Sequence, residues 1–134
     1  MKAVTILLAA GLMAAPAFAQ TPRFPVPLTA NESYGACSTA RILNLTRRSA
    51  TFVSVRSGPS TRQRELGRLP FGRSVYACAR HGNWFAILYE RRPGERRCAF
   101  VLEPQRATTN YNGPCGSGWV HYNYLGEYAD FISP

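Results

Sequence analysis

From position 50 onward the chain alternates apolar and polar residues over short stretches, with turn residues between them. In Phe52 to Arg56, Val53 and Val55 alternate with Ser54 and Arg56, which gives one buried face and one wet face. Leu66 and Leu69 belong to a short strand ending at Pro70-Phe71-Gly72. Ser74 to Arg80 alternates again, with Val75, Ala77 and Ala79 on one side and Tyr76 and Cys78 on the other. His81-Gly82-Asn83 reads as a tight turn and Trp84 to Tyr89 as a strongly apolar strand, so the two strands form a hairpin. Phe100 to Leu102 is expected as a short strand before Pro104. Gly118 to His121 reads as the last strand, followed by a turn over 122–126. No stretch sustains a helical period, so the class is all-β.

The flanks differ from this pattern. Residues 21–29 (TPRFPVPLT) hold three prolines, which exclude helix and read as an extended strap laid against the domain. A strand is expected at Arg41 to Thr46. Residues 91–98 (RRPGERRC) are polar and basic, and 105–114 are rich in Thr, Asn and Gly, so about 91–117 reads as an insertion. At the N-terminus, Lys2 precedes the uncharged, largely apolar run Ala3 to Ala15, and Ala17-Phe18-Ala19 offers small residues to a signal peptidase. This is the form of a secretory signal peptide cleaved after Ala19, and the run is shorter than the roughly 20 residues that span a bilayer. The expected division is a signal peptide over 1–19, a strap or extension over 20–49, the main domain over 50–126 and a tail over 127–134. The expected location is the periplasm or the outside of the cell, with no transmembrane segment.

That location changes the reading of the four cysteines. An even number in a small exported domain implies two disulfides. No CxxC pair or Cys/His cluster at zinc spacing occurs, and no metal or other cofactor is expected. Cys98 and Cys115 bracket the insertion, whose ends must meet if Tyr89 and Gly118 lie on neighbouring strands. Cys78, on the Tyr76 side of its strand, points away from the main core and towards the strap, which leaves it to pair with Cys37. After Ala19 the chain carries 15 arginines against 7 acids, a net charge of +8, and has no lysine. Such a surface favours anionic partners, and it is equally accounted for as a soluble basic surface. Nucleic acid ranks low as a partner, because an exported chain without a nucleic-acid motif gives it no support.

Val53-Ser54-Val55-Arg56-Ser57-Gly58-Pro59-Ser60 resembles the opening block of bacterial SH3 (SH3b) domains. Leu66-Gly67-Arg68-Leu69, Phe71-Gly72 before Val75, and Trp84 after a Gly-Asn turn resemble the blocks that follow, in the same order. Gly118-Trp119-Val120-His121 with Tyr124-Leu125 resembles the closing block. The resemblance covers 50–89 and 116–126. It implies a small SH3-like β-barrel, here with a long disulfide-closed insertion and an N-terminal strap, that binds rather than catalyses. The long segment between Tyr89 and Gly118, the cysteines and residues 20–49 depart from the family pattern.

By the same resemblance, a groove lined by loop aromatics takes a peptide or cell-wall peptidoglycan. Tyr122, Tyr124, Tyr89, Trp84 and Arg56 are the candidate ligand-binding residues, supplying stiff contact area and planar bidentate recognition. Trp84 and Trp119 are read first as core residues of a small barrel, since large aromatics carry much of a small core. An inhibitor or accessory subunit of another exported protein, acting through the insertion, is the alternative. A cell-wall hydrolase ranks below both. Cys115 with His121 is a conceivable nucleophile pair, but Cys115 is expected to be bridged. Ser117 lacks a full nucleophile elbow, and Glu90 and Glu95 do not form a glycosidase-like pair. No catalytic residue is expected.

Overall fold

The structure, a computed structural model, describes residues 22–43 and 51–127, together with positions 3, 4, 6 and 10–12. The expected cleavage after Ala19, residues 44–46 of the strand expected from Arg41, and the tail beyond residue 127 lie outside the described residues.

In chain order the strands are β1 (Pro27–Leu28), β2 (Asn31–Gly35), β3 (Ser38–Ile42), β4 (Phe52–Arg56), β5 (Glu65–Pro70), β6 (Ser74–His81), β7 (Trp84–Tyr89), β8 (Pro104–Gln105), β9 (Thr109–Asn110), β10 (Gly116–His121) and β11 (Leu125–Gly126). Two 3-10 turns, Ala99–Leu102 and Tyr122–Tyr124, are the helical elements among the described residues. The fold is all-β. Seven strands form one antiparallel sheet in the order β11-β3-β6-β7-β10-β4-β5, and the short pairs β1–β9 and β2–β8 lie outside it. Among the described residues no ladder joins the edge strands β11 and β5.

The sheet buries both faces. Ile42, Val53, Leu69, Val75, Ile87, Val120 and Leu125 come from each of its seven strands and pack into one cluster. That cluster fills one face of the sheet across its whole width. On the other face Ala86, Leu88 and Trp119 pack with Val26, Leu28 and Val101. β7 therefore alternates between two cores, Phe85 and Ile87 facing one and Ala86 and Leu88 the other. This is why Trp84 to Tyr89 reads as a continuous apolar run.

The extension expected over 20–49 contributes differently from a simple strap. Residues 22–28 do lie across the second face: the Phe24 N–H donates to the Ser57 carbonyl, the Tyr111 N–H donates to the Val26 carbonyl, and Val26 is fully buried. Residues 38–42, however, are part of the main sheet, with β3 paired to β6 from Ser38↔Ala77 to Arg41↔Ser74. This strand begins before the expected Arg41, because its inward residues Ser38 and Ala40 are too small to mark an apolar alternation.

Three further expectations are corrected. Ala79 does not share a face with Val75 and Ala77. Ala77 opposes Ile87 and Ala79 opposes Ala86, so Cys78 is the extra residue of a bulge, and Cys78 and Ala79 both pack on the second core. Residues 100–102 are not a strand. They belong to a 3-10 turn in which the N–H groups of Val101 and Glu103 donate to the carbonyls of Cys98 and Phe100, which buries Val101. The 105–114 stretch, whose Thr, Asn and Gly content reads as irregular, contains part of β8 and all of β9, which hold the insertion against β2 and β1.

The disulfides are Cys37–Cys78 and Cys98–Cys115, the pairing expected from the sequence. The first links the start of β3 to the β6 bulge. The second returns the insertion to the start of β10, which pairs with β7 from Gly116↔Tyr89 to His121↔Trp84. β4 meets β10 at the single pair Trp119↔Arg56 and passes close over Gly118. A Cβ on Gly118 would stand 2.4 Å from Val55 Cγ1 and 2.8 Å from the Arg56 carbonyl oxygen. Gly118→Ala is therefore expected to cost about 1–3 kcal/mol, read as a lower midpoint in thermal denaturation.

Candidate ligand sites at the two ends of one strand pair

β7 and β10 run side by side with different chemistry at each end. At the hairpin end His121 opposes Trp84, and at the other end Gly116 opposes Tyr89. Six paired residues separate the two ends by about 17 Å.

The hairpin end is built by two local bonds. The Tyr122 N–H donates to the Asn83 carbonyl at 2.8 Å, which ties the second 3-10 turn to the hairpin loop. Gly82 in that loop has φ +58° and Asn83 does not have positive φ, the sign pattern of the II′ turn that suits a two-residue hairpin. His121 Nδ1 accepts the Asn123 N–H at 3.2 Å and caps the same 3-10 turn. Around His121 the rings then converge. Trp84 stands edge-on to it with centroids 5.3 Å apart, Tyr122 lies at 5.0 Å and Tyr124 at 6.4 Å. The Arg80 guanidinium sits 5.5 Å from the Tyr122 ring centre and 5.4 Å from that of Phe85. Its Nε donates to the Gly82 carbonyl at 2.8 Å, which holds that position. Tyr122 is 40% exposed, whereas Tyr124 also packs on Phe71 and on the first core.

Partial burial lowers the His121 pKa below the ordinary histidine value. In the neutral ring Nδ1 is the acceptor, so the proton sits on Nε2. The sign follows: this stabilisation is fully present above the unfolded-state value of about 6.5. It is lost as pH falls towards the lower folded-state value, because the unfolded chain takes up the proton first. His121 is expected to titrate in NMR with a midpoint below that of an unfolded-chain histidine, and the Trp84 indole signal should shift with it.

Of the candidates read from the sequence, Trp84, Tyr122 and Tyr124 are brought together; Arg56 and Tyr89 are not. Arg56 Nη1 donates to the Gln63 carbonyl at 3.1 Å and so anchors the loop between β4 and β5. Tyr89 lies at the far end of β7 over Gly116, whose added Cβ would fall 2.2 Å from its ring. Burial raises its phenol pKa. Trp119 is a core residue, 6% exposed, with Nε1 donating to the Phe24 carbonyl at 2.8 Å. His121 and Arg80 are the members of the cluster that sequence reasoning missed. The alternation of β10 held a signal for His121, since it shares the Trp119 face. Cys115 is bridged and stands near the opposite end of β10 from His121.

At that opposite end the insertion borders a half-open hollow of about 260 Å³, whose arginines are exposed. Glu90, Arg91, Arg92, Arg97, Pro114 and the Cys98–Cys115 bridge form its wall, with Glu95 alongside. Among the described residues no group of three or more His, Cys, Asp or Glu is arranged to hold a metal ion, and no helix is long and apolar enough to cross a membrane. No protein-family model matches the chain, and no curated protein or solved structure matches it either.

Proposed function

We propose that this chain is an exported bacterial SH3-like binding module that recognises peptide or peptidoglycan ligands, without catalysis, through the aromatic cluster around His121. The observation that carries this reading is the convergence of Trp84, Tyr122 and Tyr124 with Arg80 beside an exposed tyrosine ring. Flat rings held by backbone bonds lose little entropy when a ligand lands on them, and a guanidinium beside them adds a planar donor for carboxylate. A small core drawn from all seven strands of one antiparallel sheet fits the SH3-like barrel. Two disulfides fit an exported domain.

Tyr122→Ala is expected to weaken retention on purified peptidoglycan by about tenfold, the range of a modest aromatic contact at an interface, while leaving the thermal midpoint nearly unchanged. Tyr124→Ala should weaken binding and also lower stability, because Tyr124 packs on the first core. Unchanged retention of both variants would remove the cluster from the site. Export is tested separately: intact mass of the periplasmic or culture fraction should show a chain beginning at Gln20, and a cytoplasmic product retaining Met1 would contradict it. The disulfide-closed, arginine-rich insertion favours a second reading, an inhibitor or accessory subunit. In that case retention on peptidoglycan would be absent, and an exported protein partner would be lost on altering the insertion.

A further inference from the structure

The insertion concentrates Arg91, Arg92, Arg96 and Arg97 within seven residues. Among the described residues the ion pairs are Arg41–Glu127 and Arg68–Glu65, and none of these four arginines takes part in one. Four solvated arginines would by themselves mean little. Arg91, however, is held. Its Nε donates at 2.7 Å to the carbonyl of Pro114, 23 residues on and next to the bridged Cys115. That bond fixes the guanidinium at the wall of the 260 Å³ cavity. It leaves both Nη nitrogens, the fork that grips an oxyanion, without a protein acceptor among the described residues.

The carboxylates in the same wall do not cancel this charge. Glu90 is buried, and its Oε1 accepts the Cys98 N–H at 2.7 Å and the Tyr76 hydroxyl at 3.4 Å. Its backbone carbonyl accepts from Arg73 Nη2. Glu90 therefore fastens the disulfide end of the insertion to the sheet. With Glu95 counted as well, the cavity keeps three arginines against two carboxylates. A rigid frame, a forked donor held by one bond and a surplus of positive charge make a site, where a free basic loop would not.

We propose that this cavity binds a small molecule or end group bearing oxyanions, a carboxylate or a phosphate, gripped by the Nη atoms of Arg91 with Arg92 and Arg97 closing over it. The site stands about 17 Å along β7 and β10 from the aromatic cluster and works independently of it. Arg91→Lys keeps the charge but removes the fork and the Nε bond, so it separates recognition from simple attraction.

The test is NMR titration of the oxidised, signal-free chain with inorganic phosphate, pyrophosphate and citrate at fixed ionic strength. The expected result is saturable shifts of the Arg91 Nε–H and the Cys98 and Cys115 amides with at least one of the three. Affinity should be at least tenfold weaker in Arg91→Lys and in Arg97→Gln, and unchanged in Tyr122→Ala. Response to the phosphates alone assigns phosphate; response to citrate alone assigns carboxylate. No saturable shift with any of the three, or an equal response in Arg91→Lys, would overturn the proposal. Thermal denaturation of Arg91→Lys confirms that the comparison is made on a folded chain.

Discussion

Replacing Cys37 and Cys78 together by alanine is expected to cost the domain about 4 kcal/mol and to lower its melting temperature by roughly 15 °C. The bridge spans a sequence separation of 41, against 17 for Cys98–Cys115, and a longer loop restricts the unfolded chain more. Its place in the fold adds to the effect. β3 and β11 form one end of the sheet, and β3 is held to the remainder by four register pairs with β6. Without the bridge those pairs must hold both strands alone. The Cys98/Cys115 double alanine should cost about 3 kcal/mol, with its disturbance confined to the insertion. A smaller loss for Cys37/Cys78 than for Cys98/Cys115 would contradict this. Non-reduced proteolysis with mass spectrometry checks the pairing itself, since a Cys37–Cys98 or Cys37–Cys115 crosslink as the main species is incompatible with the fold.

Trp119→Ala is expected to cost about 3–5 kcal/mol in urea denaturation, the range for deleting a large buried aromatic. Trp119 packs with Val26, Leu28 and Leu88 on the second face and donates from Nε1 to Phe24. It is therefore the post on which residues 22–28 lie. Trp119→Phe keeps most of the apolar contact and loses the hydrogen bond, so a cost near 1 kcal/mol is expected. The strap should also loosen in the alanine variant, and cleavage at Arg23 by trypsin under native conditions should accelerate. Equal stability losses in the two variants would mean that the bond, and not the packing, holds the strap.

The parts of the fold that were legible were those where large apolar residues alternate. Val53/Val55, Val75/Ala77 and the run from Trp84 announce β4, β6 and β7 directly, and His81-Gly82-Asn83 announces their turn. The start of β3 carries no apolar signal, because Ser38 and Ala40 face inward without being bulky. The Cys78 bulge is set by which β7 residue each β6 residue opposes, and nothing local marks it. Residues 100–102 carry three apolar side chains, which a 3-10 turn buries as readily as a strand. The disulfide pairing was legible because neighbouring strands must bring the ends of the insertion together. Three members of the aromatic cluster are legible in the sequence, Trp84 after its turn and Tyr122 and Tyr124 in one short segment. Arg80 joins it through the cross-strand register of β6 and β7, and His121 meets Trp84 through that of β7 and β10. Tyr89 and Arg56 have the right residue types but are spent on packing over Gly116 and on anchoring the 57–64 loop.

The central claim, that this is a binding module working through the His121 cluster, is tested most directly by co-sedimentation with purified peptidoglycan sacculi at low and high salt. Charge attraction alone fades as salt shortens the range of exposed charges, whereas ring contacts persist. The account predicts that the oxidised chain stays with the sacculi at high salt and that Tyr122→Ala is released. Complete release of the parent chain at high salt, or equal retention of parent and variant, would contradict it.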